Sequence, residues 1–305
     1  MIVYDPHGWR NHLFDVKGSM LREIMFRVAT CVGWSVAVTL FSLFVWPIGI
    51  PSTVHGLVGI ALGLLLVFRT NASYDRFWEG RRLWGSIINE TRNLGRAASV
   101  ILRDEPELLG RVLTWTTAFP YAAMYRLRDQ KSLGPVAARL PADEVDAILA
   151  TANVPHALSV RLSATLLEAR DRGMISDYLF AMLDQNVQLL IDYVGGCERI
   201  HRTPLPFGYV VHLRRALILY CFSLPFALVK DFGWTTILDT FFVAYIFFGI
   251  EEIGVEIEDP FGTDPNDLPL ESFCEMIAVN LSELNCGIPT GFVSQPPRAG
   301  TYHKA

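Results

Sequence analysis

The chain has 305 residues, of which 51% are hydrophobic and 19% charged, with a formal net charge of −5. Soluble domains carry about a quarter charged residues, so this balance points to a membrane protein, and no basic stripe marks a nucleic-acid partner. Five cysteines without a C-x-x-C pair argue against a disulfide scaffold or a zinc ribbon.

The opening MIVYDPHGWRNHLFDVKG is charged and lacks the apolar centre of a signal peptide. The first apolar run, residues 28–46, is about 28 Å long as a helix, enough to cross a bilayer, with Trp46 as an interfacial anchor. Pro47 and Pro51 then force a short turn.

The second span is expected at 52–68. His55, Gly56, Gly59 and Gly63 make it a poor lipid-facing helix. Gly59-x-x-x-Gly63 suits close packing against the first span. Ile60, Leu64 and Phe68 recur at i, i+4, i+8 and form one stripe. No proline follows Phe68, so the helix is predicted to run on into the charged sequence RTNASYDRFWEGRRLWG.

Residues 69–205 keep helical periodicity throughout, with acids in the first turn of a helix opening at Pro141. No Gly/Ser-rich or Pro-rich linker detaches this region. A third span is expected at 216–229. It contains Pro225 and is short, so it begins earlier, through YVVHLRR, or rests against other protein. A fourth is expected at 234–250, with Asp239 near its start read as a helix-start residue rather than a permeation carboxylate.

Basic residues set the orientation. Lys17, Arg22 and Arg27 precede the first span, Arg69, Arg76, Arg81 and Arg82 follow the second, and Arg199, Arg202, Arg214 and Arg215 precede the third. The two other loops hold one lysine between them. Both termini and the middle region are therefore expected in the cytosol, with four spans. The fold class is all-α: four transmembrane helices continuous with a large cytosolic helical region, residues 1–305 forming one integral-membrane unit. Its C-terminal cytosolic segment is 251–305, with a Pro- and Gly-rich tail from about 287 expected to be flexible.

No P-loop, G-x-S-x-G or H-E-x-x-H signature occurs, so no enzyme is expected. His55, His201 and His212 are read as packed or interfacial side chains. In EEIGVEIEDPFGTDPNDLPLE, Glu256, Asp259, Asp264 and Asp267 offer oxygen ligands for a divalent cation, calcium or zinc, although EF-hand spacing is absent. The competing reading is a solvated loop.

Four stretches then stand out together: KGS at Lys17–Ser19, RFWE at Arg76–Glu79, PLPFGY at Pro204–Tyr209 and DPFGTDPND at Asp259–Asp267. In this order the chain resembles the bestrophin family, in its bacterial branch, over nearly its whole length. The resemblance implies a homopentamer in the bacterial inner membrane, with membrane lipids and permeant monovalent ions as its other partners. It places the second span around a central pore. A hydrophobic neck then falls on Ile60, Leu64 and Phe68, and a cytosolic aperture on Leu205.

Two departures bear on mechanism. Eukaryotic members carry a proline after the first neck residue, where this chain has Ala61. They pass chloride, and a bacterial relative passes sodium, so Ala61 and the net negative charge lean toward cations. The acidic run that clasps calcium in animal members is diluted here to TDPND. The expected function is a passive, cation-selective channel for small monovalent ions. The alternatives are a chloride channel and a membrane-anchored scaffold or sensor without transport.

Overall fold

The computed structural model describes residues 20–285. Lys17–Ser19 and the tail from 287 lie outside them. Among the described residues there are helices and no strand. They divide into two compact units, residues 20–85 with 193–270, and 86–192 with 271–285.

The first unit holds the apolar helices. Helix α1, Leu21–Phe44, takes in Arg22, Glu23 and Arg27 before the apolar run from Val28, and ends when the N–H of Val45 returns to Phe41 O, just before Pro47. Helix α2, Ser52–Ile101, starts directly after Pro51 and does not break at Phe68, as its lack of an internal proline predicts. Residues 52–85 of α2 belong to this unit.

Helix α7, Phe207–Phe232, begins well before the apolar run, through YVVHLRR, which gives it the length the third span lacked. Gly233, at φ 56°, ends it in a conformation that favours glycine. A 3₁₀ turn, Gly233–Thr235, then leads into α8, Thr236–Glu256.

The residues 207–256 are thus two antiparallel legs rather than one rod. Tyr220 lies tilted against Phe247 with ring centroids 5.5 Å apart, and Arg214 Nε reaches Glu251 Oε1 at 2.8 Å, pairs nearly equidistant from Gly233. Three helical stretches, Leu21–Phe44, Ser52–Ile101 and Phe207–Glu256, are long and apolar enough to cross a membrane. The hairpin at Gly233 divides the last into two legs.

The core of this unit joins α1, α2, α7 and α8 through Ile24, Cys31, Leu62, Leu66, Cys221 and Phe248. Buried hydroxyls add direction within it. Ser35 Oγ lies 3.1 Å from Thr240 Oγ1, and Thr240 donates to Thr236 O at 2.7 Å. Such pairs hold helices together where hydrophobic burial gives little register. A Cβ on Gly59 would lie 2.6 Å from the hydroxyl of Tyr220 in α7, whereas one on Gly63 would meet nothing. The glycine pattern therefore serves one contact, and with the third span rather than the first.

The second unit is built on α3, Pro106–Leu127, whose middle is buried on every side. It packs against α5, Val154–Asp171, which Asn153 caps by accepting the N–H of His156 at 3.2 Å. A 3₁₀ turn at Gly134–Arg139 and α4, Ala142–Leu149, link them, with Asp143 and Glu144 in the first turn of α4 as expected. The unit closes with residues 177–192 of α6, Asp177–Arg202, and with α9, Leu270–Asn285. Cys31, Cys197, Cys221 and Cys274 are buried free thiols.

Candidate functional site: the outward stripe of α2 and its supports

Helix α2 has two faces in the first unit. Leu62 and Leu66 are buried in the core, while Ile60, Leu64 and Phe68 are 66%, 56% and 63% exposed. Val54, Leu57, Val58 and Val67 extend the exposed apolar surface. The stripe therefore does not pack inside its own chain. An apolar face this wide on a helix with a finished core on its other side marks a surface that meets something other than water.

Arg69, the residue after Phe68, turns back into the protein and is 1% exposed. Its Nη1 donates to Glu251 Oε1 at 2.7 Å and to the Glu251 carbonyl at 3.0 Å. Its Nη2 lies 3.8 Å from Glu258 Oε2. A buried guanidinium is tolerated only when paired and hydrogen-bonded, and α8 supplies both.

Leu205 lies between α6 and α7, half-buried, with its N–H bonded to Glu258 Oε1 at 2.9 Å. Arg76 secures the same segment. Its Nε donates to Glu258 O at 3.0 Å, its Nη2 to Ile200 O at 2.6 Å, and its Nη1 to Thr203 O. Tyr209 donates from its hydroxyl to Leu65 O at 3.0 Å, within the stripe's own turns. The candidate aperture residue thus hangs from α2 and from the loop after α8.

The carboxylates of the acidic loop each have a partner of their own. Asp267, 3% exposed, accepts the N–H of Asp264 at 2.8 Å. Glu256 accepts from Asn266 Nδ2 at 2.8 Å, and Asp259 pairs with His201 at 2.8 Å. Burial pushes Asp267 up to about 6, with the Asp264 N–H opposing and the neighbouring carboxylates assisting. Among the described residues no three His, Cys, Asp or Glu side chains gather as metal ligands.

His55 stacks on Tyr220 at 4.1 Å, and His201 is the partner of Asp259, so both have packing roles. Asp239 sits in the first turn of α8, where Thr235 reaches it at 3.4 Å. Sequence reasoning did not single out Arg69, Glu251 and Glu258. The available signal was that Glu251 and Glu252 border one apolar run, whereas Arg27, Arg69 and Arg215 border the other three.

These features define an all-helical membrane protein with an apolar, outward-facing helix stripe. The model of the bacterial and fungal bestrophin proteins matches residues 1–283. The chain is 38% identical over 283 residues to a voltage-dependent anion channel-forming protein of Synechocystis, covering 92% of each. It is 32% identical over 287 residues to such a protein of Escherichia coli K12, covering 93% of this chain and 94% of that one. Its fold is similar to the crystal structure of a bacterial bestrophin homologue from Klebsiella pneumoniae, with TM-score 0.82 and 33% identity, over 86% of this chain and 98% of that one. The chain belongs to the bestrophin family.

Proposed function

We propose that this chain assembles as a homopentamer in the bacterial inner membrane and forms a passively conducting channel for small monovalent ions. Residues 1–305 act as one membrane unit. Its four spans are α1, the first part of α2, α7 and α8, and both termini face the cytosol. Five copies of α2 surround the pore. Ile60, Leu64 and Phe68 make a neck of three apolar rings, and Leu205 makes the cytosolic aperture. The carrying observation is that these three side chains face away from a core already completed by Leu62 and Leu66. Narrow apolar rings control conduction by expelling water rather than by binding ions.

The names of the relatives turn the selectivity from cations toward anions, and chloride is the permeant ion we favour. One observation supports a cation reading: α2 stays helical through Ala61, so its amide groups there remain in the helix rather than free for an anion. Purified protein in planar bilayers under asymmetric KCl separates these. Reversal near the chloride potential supports the proposal, and reversal near the potassium potential replaces its selectivity. Absence of current, even with Leu64→Ala, would favour a scaffold without transport.

A further inference from the structure

Between α1, α7 and α8 lies a cavity of about 150 Å³, lined by Arg27, Arg214, Leu217, Ile218, Phe248 and Glu251. Its walls differ in chemistry. Leu217, Ile218 and Phe248 form an apolar side that opens outward through half-exposed Ile218.

The other side is charged. The buried Glu251 carboxylate takes three guanidinium groups, from Arg69 at 2.7 Å, Arg214 at 2.8 Å and Arg27 at 3.2 Å. Arg27 also reaches Glu252 at 2.7 Å. Glu258 pairs with Arg69 at 3.8 Å and directs Oε1 to the Leu205 N–H, so three cations meet three carboxylates. The carboxylates are the buried partners and Arg27 and Arg214 the half-exposed ones, so the wall turns its cationic groups outward.

The arginines also have donors to spare. Among the described residues Arg27 donates only through Nη1 and Arg214 only through Nε. Their side chains are 41% and 48% exposed. Remaining N–H groups on two planar guanidiniums suit the oxygens of one phosphate. A free phosphate would leave the apolar wall in water. A phosphodiester carrying acyl chains satisfies both walls.

We infer that this cavity binds the phosphodiester headgroup of an anionic phospholipid, seated on Arg27 and Arg214, with its chains leaving over Ile218. The inference rests on the proposed membrane placement of α1, α7 and α8, and is independent of conduction.

The test uses the full-length protein in a neutral detergent, with short-chain phosphatidylglycerol, phosphatidylcholine and inorganic phosphate as probes. Binding is read as a saturable rise in Tm. Phosphatidylglycerol is expected to raise Tm, the other two not at equal concentration. Arg214→Gln is expected to weaken binding roughly tenfold, the loss of one or two charge-assisted hydrogen bonds. Arg215→Gln, next in the chain but outside the cavity lining, should bind as wild type. Ile218→Trp fills the cavity from its apolar side without touching the ion pairs. It should also abolish the shift, which keeps the test open if Arg214→Gln does not fold. Unchanged binding in Arg214→Gln or in Ile218→Trp, or equal binding of phosphatidylcholine, overturns the site. Inorganic phosphate matching phosphatidylglycerol overturns the lipid as its source. Because no current is measured, failure of this site and failure of the channel reading are separate results.

Discussion

Glu258 and Leu205, 53 positions apart in the chain, are joined by one hydrogen bond of 2.9 Å, from the backbone N–H of Leu205 to the glutamate Oε1. The other oxygen of the same carboxylate faces Arg69, the neighbour of Phe68. One side chain therefore stands between the candidate neck and the candidate aperture. Glu258→Ala should free the Leu205 segment and leave Arg69 less neutralised, costing about 1–3 kcal/mol. Glu258→Gln, which still accepts the N–H, should cost less. Thermal melts measure the stability, and single-channel records show whether open-channel current changes with it. Equal melts for Glu258→Ala and wild type would remove this link.

The neck itself is tested by widening it. Leu64→Ala and Phe68→Ala each remove apolar bulk from an exposed stripe, so neither leaves a cavity in the core. Each should raise single-channel current by roughly twofold or more as the constriction fills with water. Currents no larger than wild type in both variants would place the constriction elsewhere.

Arg69 is a stability element. Arg69→Ala removes the innermost of the three cations around buried Glu251, and should cost about 3–5 kcal/mol. Arg69→Met with Glu251→Leu should recover much of that loss, because Arg27 and Arg214 are half-exposed and can be hydrated. A double-mutant cycle on melting temperature reads the coupling. Additive effects would show that the pair is not the source of the cost.

The acidic loop gives a pH dependence with a definite sign. Asp267 has its folded value raised from 3.8 to about 6. The folded state therefore holds the proton more tightly than the unfolded state. Stability falls as pH rises from about 4 to about 6 through this group, and the loss persists above that. Asp267→Asn keeps an oxygen for the Asp264 N–H and removes the buried charge. It should stabilise the protein at pH 7.5 by up to about 3 kcal/mol and make no difference near pH 3.5. Melting temperatures across this range check it, and a constant offset at all pH values would show that Asp267 is not the titrating group.

Much of this molecule is legible locally. The spans, the uninterrupted run past Phe68 and the stripe at 60, 64 and 68 follow from apolar periodicity and proline placement. Both act within a few turns of one helix. The early start of α7 was one of two options that sequence left open, and the basic residues in YVVHLRR obscured it. What only the tertiary structure decided is pairing. Composition suggested that Glu256, Asp259, Asp264 and Asp267 could gather around a cation. Folding gives Glu256 to Asn266, Asp259 to His201 and Asp267 to the Asp264 backbone, contacts that the sequence does not announce. Likewise Arg27, Arg69 and Arg214 read only as topological charges until three helices bring them to Glu251. Periodicity reports which face of a helix is apolar. It carries no information on which distant charge a buried carboxylate will meet, because that depends on how separate helices pack.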